Sequence, residues 1–238
     1  MTNYKLKNKI KKIKEISKSE KEGFYKVIFS RRDVRSHFTN KKNIPLQVLL
    51  KILNAAHHAP SVGYSQPWNF ILIKDIQTRI KIKESFLREN KKAAGYLRND
   101  IEKQTKYTNL KLEGIMESNI NICVTYDSTR FGPFIIGKTT IPETGIYSVC
   151  CAIQNLWLAA RAEEIGVGWV SIISTKDLKK ILHIPTHIKP IAYLCLGYVS
   201  EFSDIPDLEK IKWLKRVKLN DIIFFEKWGQ NFKAWDIK

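Results

Sequence analysis

The stretch from Tyr147 to Glu164 limits the possible fold more than any other part of the chain. It carries no acidic or basic residue before Arg161. A helix that is apolar on every side has to be buried. The chain must therefore wrap other elements around this one. It has the material to do so, with 238 residues of which 44% are hydrophobic. That length suits one good-sized domain better than two.

The flanking segments supply a sheet. Asn69 to Ile73, Ile120 to Tyr126, Val167 to Ile173 and Ile191 to Val199 read as short buried strands. Pro45 opens a helix that runs to Ala56 and stops before Pro60. Residues 77–117 read as charged helix, interrupted by Gly95 and Gly114. Gly166 reads as the cap of the central helix, and Asp177 to Leu182 as a short helix. Helices and strands do not alternate regularly, so the expected class is α+β. The expected architecture is a central mixed sheet of four or five strands flanked by helices, not a doubly wound parallel sheet. Gly166-Val167-Gly168 is not G-x-G-x-x-G and follows a helix, so no nicotinamide-binding domain is visible.

Residues 1–22 read as a Lys-rich helical arm, and 23–238 as a single domain. The tail carries Trp213, Phe224, Phe225, Trp228, Phe232 and Trp235. That much aromatic surface on a terminal extension needs a covering surface. The tail is therefore expected to wrap the second subunit of a homodimer.

No run reaches the roughly 18 apolar residues that span a bilayer. The N-terminus has no apolar signal-peptide core. No membrane association is expected, and the expected location is the cytoplasm. The net charge of +18 raises the question of nucleic acid. The lysines are spread along the chain, however, and no helix-turn-helix, zinc-finger or RNP signature is present. Nucleic acid is not expected as the main partner. Cys123, Cys150, Cys151 and Cys195 form no Cys-x-x-Cys pattern and read as reduced core thiols. His57 and His58 are adjacent, so they point to different helix faces. They read as packing or polar support, with no metal expected.

Three short runs carry the chemistry. Arg31-Arg32-Asp33-Val34-Arg35 places three guanidinium groups around one carboxylate. Guanidinium forks match phosphate oxygens in charge and geometry. Ser61-Val62-Gly63-Tyr64-Ser65-Gln66-Pro67-Trp68 and Gly166-Val167-Gly168-Trp169-Val170-Ser171 are small-residue runs where backbone can approach a flat ligand closely. Together they point to a planar ligand that bears phosphate. Plainer readings exist for each residue. Asp33 lies three residues after Ser30, a capping-box spacing. The arginines could form a solvated face. Ser171 could be a strand-end hydroxyl satisfied by backbone.

In their order along the chain, these runs resemble the nitroreductase-like flavoprotein family. Ala55 to Gly63, Leu110 to Ile115, Gln154 to Glu163 and Ala192 to Val199 add to the resemblance, which covers residues 24–232. It is closest to the branch that destroys flavin to make 5,6-dimethylbenzimidazole. Asp33 stands where ordinary members usually carry Ser, and Tyr64 where they usually carry Asn. Thr144-Gly145 and Leu214 depart from the branch's usual pattern.

The resemblance implies a nitroreductase-like fold and a particular reaction. Reduced flavin mononucleotide (FMN) is the substrate, not a retained cofactor, and molecular oxygen the co-substrate. The products are 5,6-dimethylbenzimidazole and erythrose 4-phosphate. A separate flavin reductase would supply the reduced FMN. The resemblance also implies site residues. Asp33 would be the acid/base and Ser171 a hydroxyl near the flavin ring. Arg31, Arg32, Val34 and Arg35 would contact the flavin, with Ser61 and Gly63 on its other side. Leu110 would cover it, Gly168 would approach the ring edge and Arg216 would add a phosphate contact. Two rivals remain: a conventional NAD(P)H-dependent nitroreductase with bound FMN, and a binding protein without catalysis.

Overall fold

The computed structural model describes residues 15–39 and 41–230. Of the N-terminal arm, residues 1–14 lie outside the described residues, as do Phe232 and Trp235 of the tail. Helix α1 (Lys18–Ser30) starts at a capping box, where Ser17 and Glu20 satisfy each other's backbone N–H. It runs through residue 22, so one helix joins arm and body.

Helix α2 (Leu46–His57) buries Leu49, Ile52 and Ala56. Strand β1 (Trp68–Ile73) leads into α3 (Ile76–Gly95) and α4 (Ile101–Thr108). The charged stretch is thus two helices, and residues 109–119 are not helical. Gly114 lies against the Phe38 ring, with no room for a side chain. Strand β2 (Ile120–Asp127) is followed by the central helix α5 (Thr144–Ala162) and β3 (Ile165–Val170). Helix α6 (Thr175–Ile181), strand β4 (Ile188–Tyr198) and the short α7 (Asp207–Lys210) complete the described elements.

Two expectations about α5 and β3 need correction. Gly166 does not cap α5. The helix closes at Glu163, and Glu164 takes the left-handed conformation (φ 58°) that turns the chain. Gly166 is then already the second residue of β3, which begins and ends earlier than the sequence suggested.

The sheet order is β1-β2-β4-β3, and all three pairings are antiparallel. The expected mixed sheet is corrected for a topological reason. Strands β2 and β3 run the same way, joined by α5, but β4 inserts between them. The parallel contact among the described residues is a single bridge, Asp33 to Val167.

Side chains alternate across the sheet with the two-residue period of a strand. Ile122, Val124, Leu194 and Leu196 face α2 and α5. Cys123, Tyr193 and Cys195 face the α3 and α6 side. The central helix buries Val149, Ala152, Ile153, Leu156, Trp157 and Ala160. Its remaining face, with Tyr147, Cys150, Cys151 and Gln154, is exposed. Cys150 and Cys151 are therefore not core thiols. Cys123 and Cys195 are, and burial pushes both thiols up to about 12. Among the described residues, no helix is long and apolar enough to cross a membrane.

Candidate active site

Helix α1 ends at Ser30, so Asp33 lies beyond a helix rather than at the start of one. The capping reading of Asp33 is excluded. The chain instead turns extended at Arg31 and lays one short strand-like segment along β3. Val34 N–H donates to the Val167 carbonyl at 2.9 Å. Trp169 N–H donates to Asp33 Oδ1 at 3.1 Å, and Arg35 Nη2 donates to the Trp169 carbonyl at 3.3 Å. The close approach needs glycine opposite. A Cβ at Gly168 would overlap the Val34 carbonyl oxygen, and one at Gly166 would meet Val34 side-chain carbons at 3.2 Å.

A cleft of about 750 Å³ opens over this segment. Arg31 to His37 form one wall, with Ile28 and Phe29 from α1 and Gln154 from α5. The tail supplies the other side through Glu201, residues 203–209 and Arg216. Arg32 ties the two together, with Nη2 donating to the Asp204 carbonyl and Nη1 to the Phe29 and Arg31 carbonyls at 2.8 Å. His37, which lies 3.6 Å from Glu201, and the Ser200 N–H donated to the His37 carbonyl add a second tie.

Asp33 Oδ2 pairs with Arg35 Nη2 at 2.6 Å, and its side chain keeps 32% of its exposure through the cleft mouth. Protein surrounds it otherwise. Burial is the strongest influence and raises its pKa, against the lowering effects of Arg35, the Trp169 N–H and Arg31. Asp207 across the cleft adds to the rise. The carboxyl is thus fixed at both oxygens and held toward its protonated form.

The donor set fits a phosphorylated flat ligand. The Arg31 guanidinium rests on the Trp157 ring, 5.1 Å from its centroid. Arg32 Nε and Arg35 Nε are buried without a hydrogen-bond partner among the described residues. Buried donors left unpaired are costly, and an anionic ligand would satisfy them. The tail also brings Glu201, Asp204, Asp207 and Glu209 to the cleft. An anion here would be held by the arginine wall and not by the net charge of the cleft.

The Nitroreductase family model matches residues 28–198. The chain belongs to the nitroreductase family. Its match begins at the end of α1 and takes in the arginine wall and the whole sheet. Among relatives, the chain is 41% identical over 186 residues to the 5,6-dimethylbenzimidazole synthase of Rhodospirillum rubrum, covering 78% of this chain and 86% of the relative. Among solved structures, a BluB-like flavoprotein from Clostridium difficile 630 superposes with a TM-score of 0.64 at 21% identity, covering 85% of this chain and 98% of that one. Iodotyrosine deiodinase bound to FMN and 3-iodo-L-tyrosine superposes with a TM-score of 0.63 at 21% identity, covering 76% and 91%. These two likenesses establish the nitroreductase fold.

The structure of this nitroreductase-family chain gathers six of the expected site residues in the cleft: Arg31, Arg32, Asp33, Val34, Arg35 and Arg216. Five others lie elsewhere. Gly168 is buried against Val34, so it supports the wall instead of lining it. Ser171 is exposed one residue past the end of β3. Leu110 follows α4. Ser61 and Gly63 sit in a tight turn near the first turns of α5, where Val62 N–H donates to Ser148 Oγ at 3.0 Å. Tyr64 in that turn is 82% exposed. His57 accepts from Trp68 Nε1 at 3.2 Å, a supporting role.

Sequence reasoning missed the residues that hold the wall. Trp157 Nε1 donates to the Arg32 carbonyl at 3.1 Å, and Trp169 serves Asp33 and Arg35 through its backbone. The one available signal was chemical. A Trp in an otherwise apolar helix needs an acceptor for its N–H.

Proposed function

We propose that this chain takes reduced FMN into the arginine-walled cleft and, with molecular oxygen, converts it to 5,6-dimethylbenzimidazole and erythrose 4-phosphate, with the rest of the pyrimidine ring leaving as a separate fragment. The observation that carries the reading is Asp33 itself. An acid fixed by Trp169 and Arg35 and pushed toward its protonated form sits among the arginines of the cleft, where it would supply the proton transfer the chemistry needs. The identity to a named synthase over most of both chains supports it.

Bound reduced FMN would supply the electrons that reduce oxygen and the carbon skeleton of the product. The protein's part is binding, orientation and proton transfer. Arg31 and Arg216 would hold the phosphate, and Arg32 Nε and Arg35 Nε the remaining oxygens. Asp33 would exchange a proton through a carboxyl oriented at both oxygens, the positioned acid/base that such steps need. Ser171 would place its hydroxyl near the ring. A separate reductase would deliver the reduced FMN.

The reading includes a homodimer. The Ser61–Tyr64 turn contacts Ser148, while Trp157 holds the arginines. Nine residues of α5 separate them, a rise of about 14 Å. A turn at that end of α5 would meet the flavin from a second copy, packed through the exposed face of Tyr147, Cys150, Cys151 and Gln154. Such a contact would be isologous, as in most dimers, and the exposed tail residues Leu214, Val217, Phe225 and Trp228 would then find cover.

The test is to mix the purified chain with photoreduced FMN, admit air and assay for 5,6-dimethylbenzimidazole by chromatography. Product requiring both protein and oxygen is expected. Reoxidised but intact FMN, with rapid NADH oxidation, would favour the conventional nitroreductase.

A further inference from the structure

Arg31 is the one arginine of the wall whose guanidinium donates no hydrogen bond and forms no ion pair among the described residues. Arg32 is tied to carbonyls of Phe29, Arg31 and Asp204. Arg35 is tied to Asp33 and to the Trp169 carbonyl. Arg31 is instead held by a ring face, 5.1 Å from the centroid of Trp157. A cation–π contact fixes a guanidinium while leaving its N–H donors free. The same indole uses its own N–H on the Arg32 carbonyl at 3.1 Å. It therefore grips the backbone of one arginine and the side chain of the one before it.

Trp157 is itself held firmly. It is 8% exposed, sits on the central helix and packs against Trp169 with ring centroids 6.4 Å apart. Trp169 in turn holds Asp33 and Arg35 through its backbone. Arg216 lies across the same cleft; burial weighs most on the Arg31 charge, Asp33 supports it, and Arg32 and Arg216 oppose it. Two cations facing each other with unspent donors make a place where a dianion is favoured.

We propose that Trp157 is a positioning residue that presents the Arg31 guanidinium to the phosphate of the flavin. This rests on the FMN reading above. It predicts that Trp157 sets the preference for a phosphorylated flavin and leaves recognition of the ring to other residues.

The test compares oxidised FMN with riboflavin, which lacks only the phosphate, by fluorescence titration of the full chain. The wild type is expected to prefer FMN, and Arg31→Ala to lose most of that preference. Trp157→Leu is expected to lower the FMN-to-riboflavin affinity ratio about tenfold, over and above any loss that both flavins share through the Arg32 carbonyl. In the Arg31→Ala background, Trp157→Leu should lower the ratio no further, because both changes remove one interaction. Trp157→Phe keeps a ring face, so its ratio should fall by about threefold. It carries the test if Trp157→Leu does not fold. Equal weakening of both flavins, or an unchanged ratio in Trp157→Phe, would overturn the role of Trp157 and leave the FMN reading standing. A wild type that binds neither flavin would overturn the FMN reading itself.

Discussion

Replacing Gly168 with Ala tests whether the arginine wall depends on backbone contact with β3. The added Cβ would overlap the Val34 carbonyl oxygen and lie 3.1 Å from its carbonyl carbon. The oxygen is the tighter obstacle, and ordinary packing distances would require Val34 to retreat by about 1 Å or more. It has no flexible end to move, because the obstacle is main chain. The Val34 N–H bond to Val167, 2.9 Å in length, would stretch beyond useful hydrogen-bond range. Asp33 and Arg35 on either side would shift with it. Overpacking of this kind costs about 1–3 kcal/mol and the lost bond about 1 kcal/mol, so Gly168→Ala should destabilise by about 2–4 kcal/mol. For a chain of this size that corresponds to a Tm lower by about 5–15 °C. FMN affinity should fall as well, because the wall proposed to bind the flavin is what moves. Gly23→Ala is the control. Nothing lies within 4 Å of its Cβ in the middle of α1, and replacing a helical Gly there should stabilise by about 0.5–1 kcal/mol. Thermal melts followed by circular dichroism and flavin titrations read both variants. If Gly168→Ala melts and binds FMN like the wild type, the wall does not rest on β3 and the account of the site fails.

Asp33→Asn keeps the acceptor for Trp169 and should still bind FMN, yet lower the rate of 5,6-dimethylbenzimidazole formation by about a hundredfold or more; unchanged product formation would remove Asp33 from the mechanism. The same variant has a signature in stability. The folded pKa of Asp33 lies above its unfolded value of about 3.9, so its ionisation costs stability as pH rises through that window. Denaturant titrations at several pH values should show this loss in the wild type and not in Asp33→Asn. Glu113 has the opposite sign. Its side chain is 5% exposed beside Lys83 and Lys111; burial opposes ionisation, but the Lys83, Ile115 N–H and Lys111 contacts outweigh it and lower the pKa. Its contribution is present above about pH 4.3 and is lost as pH falls through the folded value. Glu113→Gln should cost about 1–3 kcal/mol near neutral pH and flatten the acid limb; an unchanged acid limb would contradict this assignment. Cys151→Arg on the exposed face of α5 should convert a dimer into a monomer on size-exclusion chromatography, and a dimer that persists would place the interface elsewhere.

What could be read in the sequence divides along a physical line. Features set by neighbours in the chain were legible. The central helix followed from the uncharged run before Arg161, although the face with Tyr147, Cys150, Cys151 and Gln154 is exposed in this chain and not buried as that run implied. The four strands followed from short apolar runs between turns, and the arginine wall was contiguous at residues 31–35. Features set by contacts across the chain were not. Whether β2 and β3 pair depends on β4, which arrives after both, so the sheet read as mixed and is antiparallel. Gly166 and Gly168 looked like helix cap and ligand contact because glycine signals close approach without saying to what. Their partner is Val34, more than a hundred positions earlier. The role of Trp157 was not legible because a side-chain bond to a distant carbonyl leaves no periodic trace. The Ser61–Tyr64 turn shows the same limit one level higher. Its glycine and its exposed tyrosine are legible as a ligand-facing turn, but its place at the opposite end of α5 from the arginines gives it no ligand to face within one chain. In the proposed homodimer, two segments held about 14 Å apart by one helix would meet across copies of that helix, which is why neither the turn nor the arginines alone would complete the proposed site.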